Sequence, residues 1–234
     1  MNISYGTRIG PQHVGRGIPN QDACAYAYDD VNDVGVFALA DGVGSHENSH
    51  LGSYTAVHAA VDFLEENADL SSDPEGIGAL LHDSIDHARD AVRALDEDRT
   101  ACTLIVAVRT KDYTGVASVG DSFAVVQFSD GFLELVMAQG DSEYHNVTET
   151  IFTPSPNIET RVYENSEVTG IALSSDGLER SSLKNGEPFP GVWNFLFSYN
   201  AKSDGVDLNP FFDKLEASGK LEDDTTLLLV GASA

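Results

Sequence analysis

Residues 34–42 have the sequence VGVFALADG, in which seven uncharged residues lead directly into an aspartate and a glycine. A short run of this kind, without alternating polar residues, is typical of a strand that is buried on both faces. The Asp41-Gly42 pair at its end has the composition of a turn, because aspartate bonds its own backbone and glycine tolerates positive φ. The stretch therefore predicts a central β-strand that ends at a carboxylate.

Helices and further strands are predicted on both sides of this central strand. Apolar residues recur at helical spacing over residues 48–67 and 74–96, and Asp73 and Pro74 suit the start of the second helix. Two more helices are predicted at 191–199 and 208–218. Other strands are predicted at residues 3–9, 23–28, 101–109, 115–119, 123–128, 133–138, 168–174 and 225–230. This order indicates an α+β protein whose helices cover sheet faces, and it leaves open whether there are one or two sheets.

Two segments have distinctive connections. The four strands between residues 101 and 138 are joined by short turns, which predicts an antiparallel meander. Residues 140–165 are polar and irregular, so we expect an exposed excursion there.

The overall charge excludes some classes of partner. The chain of 234 residues has a formal net charge of −25, from 13 Lys and Arg against 38 Asp and Glu, so no basic face for nucleic acid can form. No apolar run approaches the roughly 20 residues of a membrane helix, and the first ten residues lack the pattern of a secretory signal. Cys24 and Cys102 have no zinc-site spacing and are expected to be buried apolar side chains. These features predict a cytoplasmic protein.

Aspartates stand at the ends of several predicted strands, next to glycine, serine or another aspartate. Each one alone is more simply explained as a turn residue. The five segments are Asn20-Gln21-Asp22, Asp41-Gly42, Gly120-Asp121-Ser122, Ser175-Asp176-Gly177 and Glu222-Asp223-Asp224-Thr225. If the strands pair in the middle of the fold, the carboxylates converge and require cations, because clustered carboxylates repel each other. Their oxygen atoms favour hard ions such as Mg²⁺ or Mn²⁺.

The motifs NQDA, ALADGVGSHENS, CTLIVAV, SVGDS, ALSSDGLER and DDTTLLLV occur in this order between Asn20 and Val230. In this the chain resembles the metal-dependent serine/threonine protein phosphatases of type 2C, in particular compact bacterial members. The resemblance implies a four-layer α-β-β-α sandwich, in which two antiparallel sheets pack face to face between helix pairs. It also implies one catalytic domain over residues 1–234, with a substrate-facing flap near 140–165.

The resemblance implies a binuclear centre of Mn²⁺ or Mg²⁺. Asp41 matches the carboxylate that bridges both cations, and the Gly42 carbonyl matches the adjacent ligand. Asp176 and Asp223 match the remaining carboxylates on the first cation. Asp121 matches a position that helps to hold a third, weaker cation in bacterial members.

Catalytic roles are implied in the same way. Asp22 matches the acid that orients the attacking water, and His46 matches a proton donor to the leaving alkoxide. Arg16 is the nearest candidate for the phosphate-binding arginine, although its spacing from Asp22 is one residue longer than in the family. Arg8 is the alternative. A guanidinium suits a phosphate because it can donate two hydrogen bonds at once.

The implied activity is the hydrolysis of phosphoserine and phosphothreonine in proteins without a covalent intermediate. The implied partners are phosphoprotein substrates, including those of a serine/threonine kinase, and the expected state is a monomer. Phe123 replaces an arginine that the family often has at this position, and together with the longer spacing of Arg16 it favours the alternative of a pseudophosphatase that only binds. A second rival is a phosphatase that acts on small phosphate esters.

Overall fold

The structure, a computed structural model, describes residues 1–68, 73–96, 99–138, 148–202 and 205–231. The strands in these residues are β1 (Asn2–Arg8), β2 (Asp22–Asp29), β3 (Val34–Asp41), β4 (Leu104–Arg109), β5 (Tyr113–Val119), β6 (Phe123–Phe128), β7 (Leu133–Met137), β8 (Glu159–Glu164), β9 (Val168–Ser174), β10 (Leu183–Lys184), β11 (Glu187–Pro188) and β12 (Thr225–Gly231). The α-helices are α1 (Pro11–Arg16), α2 (Ser49–Asn67), α3 (Pro74–Asp96), α4 (Glu179–Ser182), α5 (Pro190–Asn200) and α6 (Asn209–Ala217).

Ten of the described strands form two antiparallel sheets of five. One sheet has the order β2-β3-β4-β5-β8 and the other has the order β1-β12-β9-β6-β7. The short strands β10 and β11 form a separate hairpin. The question of one sheet or two is therefore answered, and the expected α+β class with two antiparallel sheets is confirmed.

The central strand β3 is buried on both faces, as predicted. Val36, Ala38 and Ala40 belong to the core that the first sheet forms with α2 and α3. Phe37 and Leu39, at the alternate positions, belong to the core between the two sheets. Because successive side chains of a strand point to opposite faces, one apolar run supplies two layers of core.

Strand β12 has the same double role in the second sheet. Leu228 and Val230 pack into the core between the sheets. Leu227 and Leu229 pack on the other face, in the core that contains Trp193 of α5 and residues of α6. The four layers follow from these two strands, with α2 and α3 outside one sheet and α5 and α6 outside the other.

The predicted meander between residues 101 and 138 is wrong at its centre. Strand β5 pairs with β4 and β8, whereas β6 pairs with β7 and β9 in the other sheet. The chain crosses between the sheets at residues 120–122. Gly120 has a φ of +92°, and a side chain there would meet Thr103 and the Glu149 carbonyl, so glycine is required at this close crossing.

The predicted excursion over residues 140–165 is wrong in its last part, because β8 pairs with β5 along its whole length. Strand β8 is an edge strand of mixed polar composition and partial burial, so it has no apolar run by which it could be recognised. Residues 139–147 lie outside the described residues, so the predicted flap is described only from 148 onward.

Two further features differ from the expectation. Helix α1 lies in a segment for which no element was predicted, and Gly17, with a φ of +67°, caps its C-terminal end. Tyr54 is one of the residues at helical spacing that predict α2 with a core-facing side, but it is 60% exposed. Cys24 and Cys102 are free thiols, and Cys102 is fully buried. Among the described helices, none has the length and apolar character needed to cross a membrane.

We expect Leu39→Ala to lower the free energy of unfolding by about 3 kcal/mol, because it leaves a cavity between the two sheets. Leu39 has no exposed surface, whereas Leu51 at the start of α2 is 48% exposed. Leu51→Ala is therefore the matched control, with an expected loss below about 1 kcal/mol. Urea denaturation measures both, and equal losses would contradict the described core.

Candidate metal centre

The predicted acids converge because of the way the strands pair. Asp22 begins β2 and Asp41 ends β3, and the antiparallel register places the two residues directly opposite each other. In the other sheet, Asp176 follows β9 and Asp223 precedes β12, which are also antiparallel neighbours. Asp121 lies in the crossing between β5 and β6, where the chain passes from one sheet to the other. The two sheets thus bring their acidic strand ends to the same edge of the sandwich.

A cavity of about 160 Å³ opens between these strand ends. All five residues considered as metal ligands from the sequence line it: Asp41, Gly42, Asp121, Asp176 and Asp223. His13, Gln21, Val43, Gly44, Thr103, Thr148 and Asp224 complete its wall. Asp22 does not line the cavity and is buried, 9% exposed. The structure therefore places the predicted ligands around one space.

The position of Asp41 is fixed by the start of the next strand. Its main-chain N–H donates to the Thr103 hydroxyl at 3.0 Å, and the Thr103 N–H donates to the Asp41 carbonyl at 2.8 Å. The Thr103 hydroxyl also lies 2.9 Å from the Ser122 hydroxyl, next to Asp121. A side chain at position 42 would meet the Gln21 carbonyl at 2.8 Å, so the residue after Asp41 must be glycine.

The acids are strained electrostatically in the absence of cations. Burial raises the pKa of Asp41 well above its ordinary value, and the charges of Asp22, Asp176 and Asp121 raise it further. Burial also raises the pKa of Asp22 from 3.8 to about 7, although the Ser175 hydroxyl donates to its carboxylate at 2.7 Å. The pKa of Asp176 rises to about 6, from burial and then from the charge of Asp121. These carboxylates lie close together, and too little positive charge lies near them to offset their mutual repulsion.

The donor set fits hard divalent cations. The cavity wall offers carboxylate oxygens from both sheets, which are the ligands that Mg²⁺ and Mn²⁺ prefer. Among the described residues, the Oδ1 atom of Asp22 is buried without a hydrogen-bond partner, and a cation or an ordered solvent molecule would satisfy it. Cations at this position would offset the repulsion that raises the pKa values of the acids.

Asp224 organises the wall of the cavity, and the sequence analysis gave it no role. Its side chain is 3% exposed and accepts main-chain N–H groups from Gly10 at 2.7 Å and Gln21 at 2.6 Å. Its Oδ2 also lies 3.0 Å from Nδ1 of His13 on α1, at an angle that is not that of an aligned hydrogen bond. Asp224 was visible as the second acid of the DDTT motif, but nothing in the sequence linked it to His13.

Arg8 and Arg16 were proposed to bind the phosphate, and His46 was proposed to donate a proton. None of these three side chains lines the cavity. The Arg8 guanidinium is held by three side chains of α6, which are Asp213 at 2.8 Å, Glu216 at 2.9 Å and Asn209 at 3.3 Å. The alternative of Arg8 as the phosphate ligand is therefore a poor fit, because its donors are already bound. Arg16 is exposed on α1, and His46 lies in the loop after β3 with its Nδ1 buried and unbonded.

Without divalent cations, we expect the melting temperature to fall as the pH rises from about 5 to 8. The folded-state pKa values of Asp22 and Asp176 are about 7 and about 6, above the ordinary 3.8. The folded protein thus binds protons more tightly than the unfolded chain, and this stabilisation is lost as the pH rises through the folded values. Asp41→Asn should flatten the slope and raise the metal-free melting temperature at the upper pH.

The matched control for that thermal series is Asp83→Asn, which removes one charge from an exposed position on α3. It should keep the slope of the parent protein. Identical slopes in both variants, or a flat profile in the parent, would contradict the described crowding of buried acids.

Comparisons with known proteins agree with this architecture. A sequence model described as protein phosphatase 2C matches residues 9–213. The chain is 26% identical to serine/threonine-protein phosphatase 3 of Escherichia coli strain K12, with 97% of this chain and 96% of that protein covered.

Solved structures share the fold. The serine/threonine phosphatase Stp1 of Staphylococcus aureus superposes with a TM-score of 0.69 at 17% identity, covering 100% of this chain and 96% of that one. The serine-threonine phosphatase 2C of Toxoplasma gondii gives a TM-score of 0.71 at 14% identity, covering 98% and 94%. Since the family match extends over most of the sequence, the chain belongs to the protein phosphatase 2C family.

Proposed function

We propose that this protein hydrolyses phosphoserine and phosphothreonine in protein substrates at the acidic cavity between the two sheets. The observation that carries the proposal is the convergence of Asp41, Asp121, Asp176 and Asp223 around one space from strands far apart in the sequence. Membership of the protein phosphatase 2C family and the names of the similar proteins support phosphoprotein substrates.

Two divalent cations, Mn²⁺ or Mg²⁺, would supply Lewis acidity and lower the pKa of water at this site. Asp41, the Gly42 carbonyl, Asp176 and Asp223 would hold these cations, and Asp121 would help to hold a third, weaker one. The support is the oxygen-rich wall and the raised pKa values of Asp41 and Asp176, because both features favour occupation by positive charge.

The remaining proposed roles belong to groups around the cations. The role proposed for Asp22 is to orient the attacking water. Its carboxylate lies outside the cavity wall, where the Ser175 hydroxyl donates to it and its main chain pairs with that of Asp41. Water attacks phosphorus directly, the P–O bond to the serine or threonine oxygen breaks, and that oxygen takes a proton from a bound water or from His46 in the loop after β3. The cysteines take no part, since burial raises the pKa of Cys24 to about 12 and raises that of Cys102 further.

The pseudophosphatase alternative loses one of its two arguments, the one that rests on Phe123. Phe123, which replaces an arginine common in the family, is fully buried and packs edge-on against Trp193 of α5, with ring centroids 6.2 Å apart. Its presence is explained by the core beneath α5, so it does not indicate a decayed active site.

We further propose that the protein works as a cytoplasmic monomer on the products of a serine/threonine kinase.

Chelation with EDTA is expected to abolish hydrolysis of an aryl phosphate and of phosphoserine and phosphothreonine peptides, and added Mn²⁺ should restore both. The reason is that an incoming phosphate dianion is repelled by the carboxylates unless cations offset them. Colorimetric release of phosphate measures the activity before and after metal addition.

Asp41→Asn should remove nearly all of this turnover, about a hundredfold or more, while Asp83→Asn on α3 keeps the parent rate. Undiminished activity in EDTA would contradict the metal-dependent mechanism. Metal-dependent turnover of small phosphate esters with none of the phosphopeptides would contradict the proposed substrate class. Tight Mn²⁺ binding without any turnover would favour the pseudophosphatase.

A further inference from the structure

Among the described residues, the cavity wall has five aspartates and one histidine but no lysine or arginine of the kind that phosphate sites usually contain. Arg8 is bound by α6, and Arg16 is exposed outside the cavity wall. His13 is therefore the side chain of the described cavity wall that can donate a hydrogen bond from a ring nitrogen to a phosphoryl group in this space.

His13 lies directly beside the buried carboxylate of Asp224. That carboxylate is fixed in turn by main-chain N–H groups on both sides of α1, from Gly10 before the helix and from Gln21 after it. Nδ1 of His13 lies 3.0 Å from Asp224 Oδ2. A side chain at position 10 would meet the main chain of Asp223 and Asp224 at 2.6–2.9 Å, so the segment that carries His13 packs directly on the acidic strand end.

The two ring nitrogens of His13 have different surroundings. Nδ1 is buried beside Asp224, and the side chain as a whole is 14% exposed. His13 lines the cavity, and its Nε2 makes no hydrogen bond to the described residues, so Nε2 is the ring nitrogen left for a ligand. A carboxylate behind an imidazole fixes the orientation of the ring, because it favours a proton on the nearer nitrogen.

We propose that His13 contacts the phosphoryl group of the substrate through Nε2, in the role that the family resemblance gives to an arginine. The proposal rests on the proposed function, since it places the phosphate in the same cavity. Asp224 acts as a positioning residue, because it reaches the substrate only through His13. In this contact His13 is an imidazolium: the Nε2–H group donates to a phosphoryl oxygen while the Nδ1–H group faces Asp224, and no covalent bond to His13 forms.

The test compares two substitutions that each keep one of the ring nitrogens. In His13→Asn the amide nitrogen lies near the Nδ1 position, whereas in His13→Gln it lies near the Nε2 position. For the manganese-loaded protein, we expect His13→Asn to weaken the binding of inorganic phosphate and to raise the KM for an aryl phosphate, each by about tenfold or more. His13→Gln should lose less, because it keeps a donor at the cavity.

Titration calorimetry with inorganic phosphate and with Mn²⁺ separates the roles. Unchanged Mn²⁺ affinity and melting temperature in His13→Asn are expected, and His87→Asn on the exposed face of α3 should match the parent throughout. Unchanged phosphate affinity in His13→Asn would overturn the proposal. Weaker Mn²⁺ binding with normal phosphate affinity would instead make His13 a metal ligand, and a tenfold loss confined to Arg16→Gln would return the role to Arg16.

The failure of this proposal can be told apart from the failure of the proposed function. A parent protein that hydrolyses phosphate esters while His13→Asn behaves identically would refute the role of His13 alone. A parent protein that hydrolyses no phosphate ester with Mn²⁺ would refute the proposed function, while the phosphate titration would still report on His13.

Discussion

Repulsion between buried carboxylates is the constraint on which this structure depends. Asp22, Asp41 and Asp176 lie where two sheets meet, and the burial and mutual charge of these residues raise their pKa values above the ordinary 3.8, to about 7 for Asp22 and about 6 for Asp176. Such an arrangement is unfavourable in the isolated chain, since each carboxylate loses water without gaining a positive partner. Bound cations would offset this repulsion, so the fold favours cation binding at this site.

The sandwich makes this possible by separating stability from function. Strands β3 and β12 each contribute side chains to two cores, so the layers are held together by apolar contacts rather than by the acids. The acids lie at the strand ends, where the backbone leaves the ladders and side chains need not fill a core. Asp224 links the two parts, because it binds Gly10 across 214 residues of sequence and Gln21 across 203.

Much of this could be predicted from local patterns. The central strand was identified by its unbroken apolar run, and the Asp-Gly and Asp-Ser turns marked the strand ends that now line the cavity. The crossing at residues 120–122 could not be predicted, because a short turn joins strands equally well within a sheet or between two sheets. Strand β8 was missed because an edge strand needs no apolar face. His13 was missed because its significance lies in a contact with a residue at the other end of the chain.

We propose above that Asp41, Asp176 and Asp223 bind a shared pair of divalent cations. Anomalous diffraction at the manganese edge, from crystals grown with Mn²⁺, tests it most directly. We predict two anomalous peaks in the cavity, about 3.5–4 Å apart, from two ions that both contact the Asp41 carboxylate. Crystals that show no peak there at saturating Mn²⁺, or a single ion held without Asp41, would contradict it.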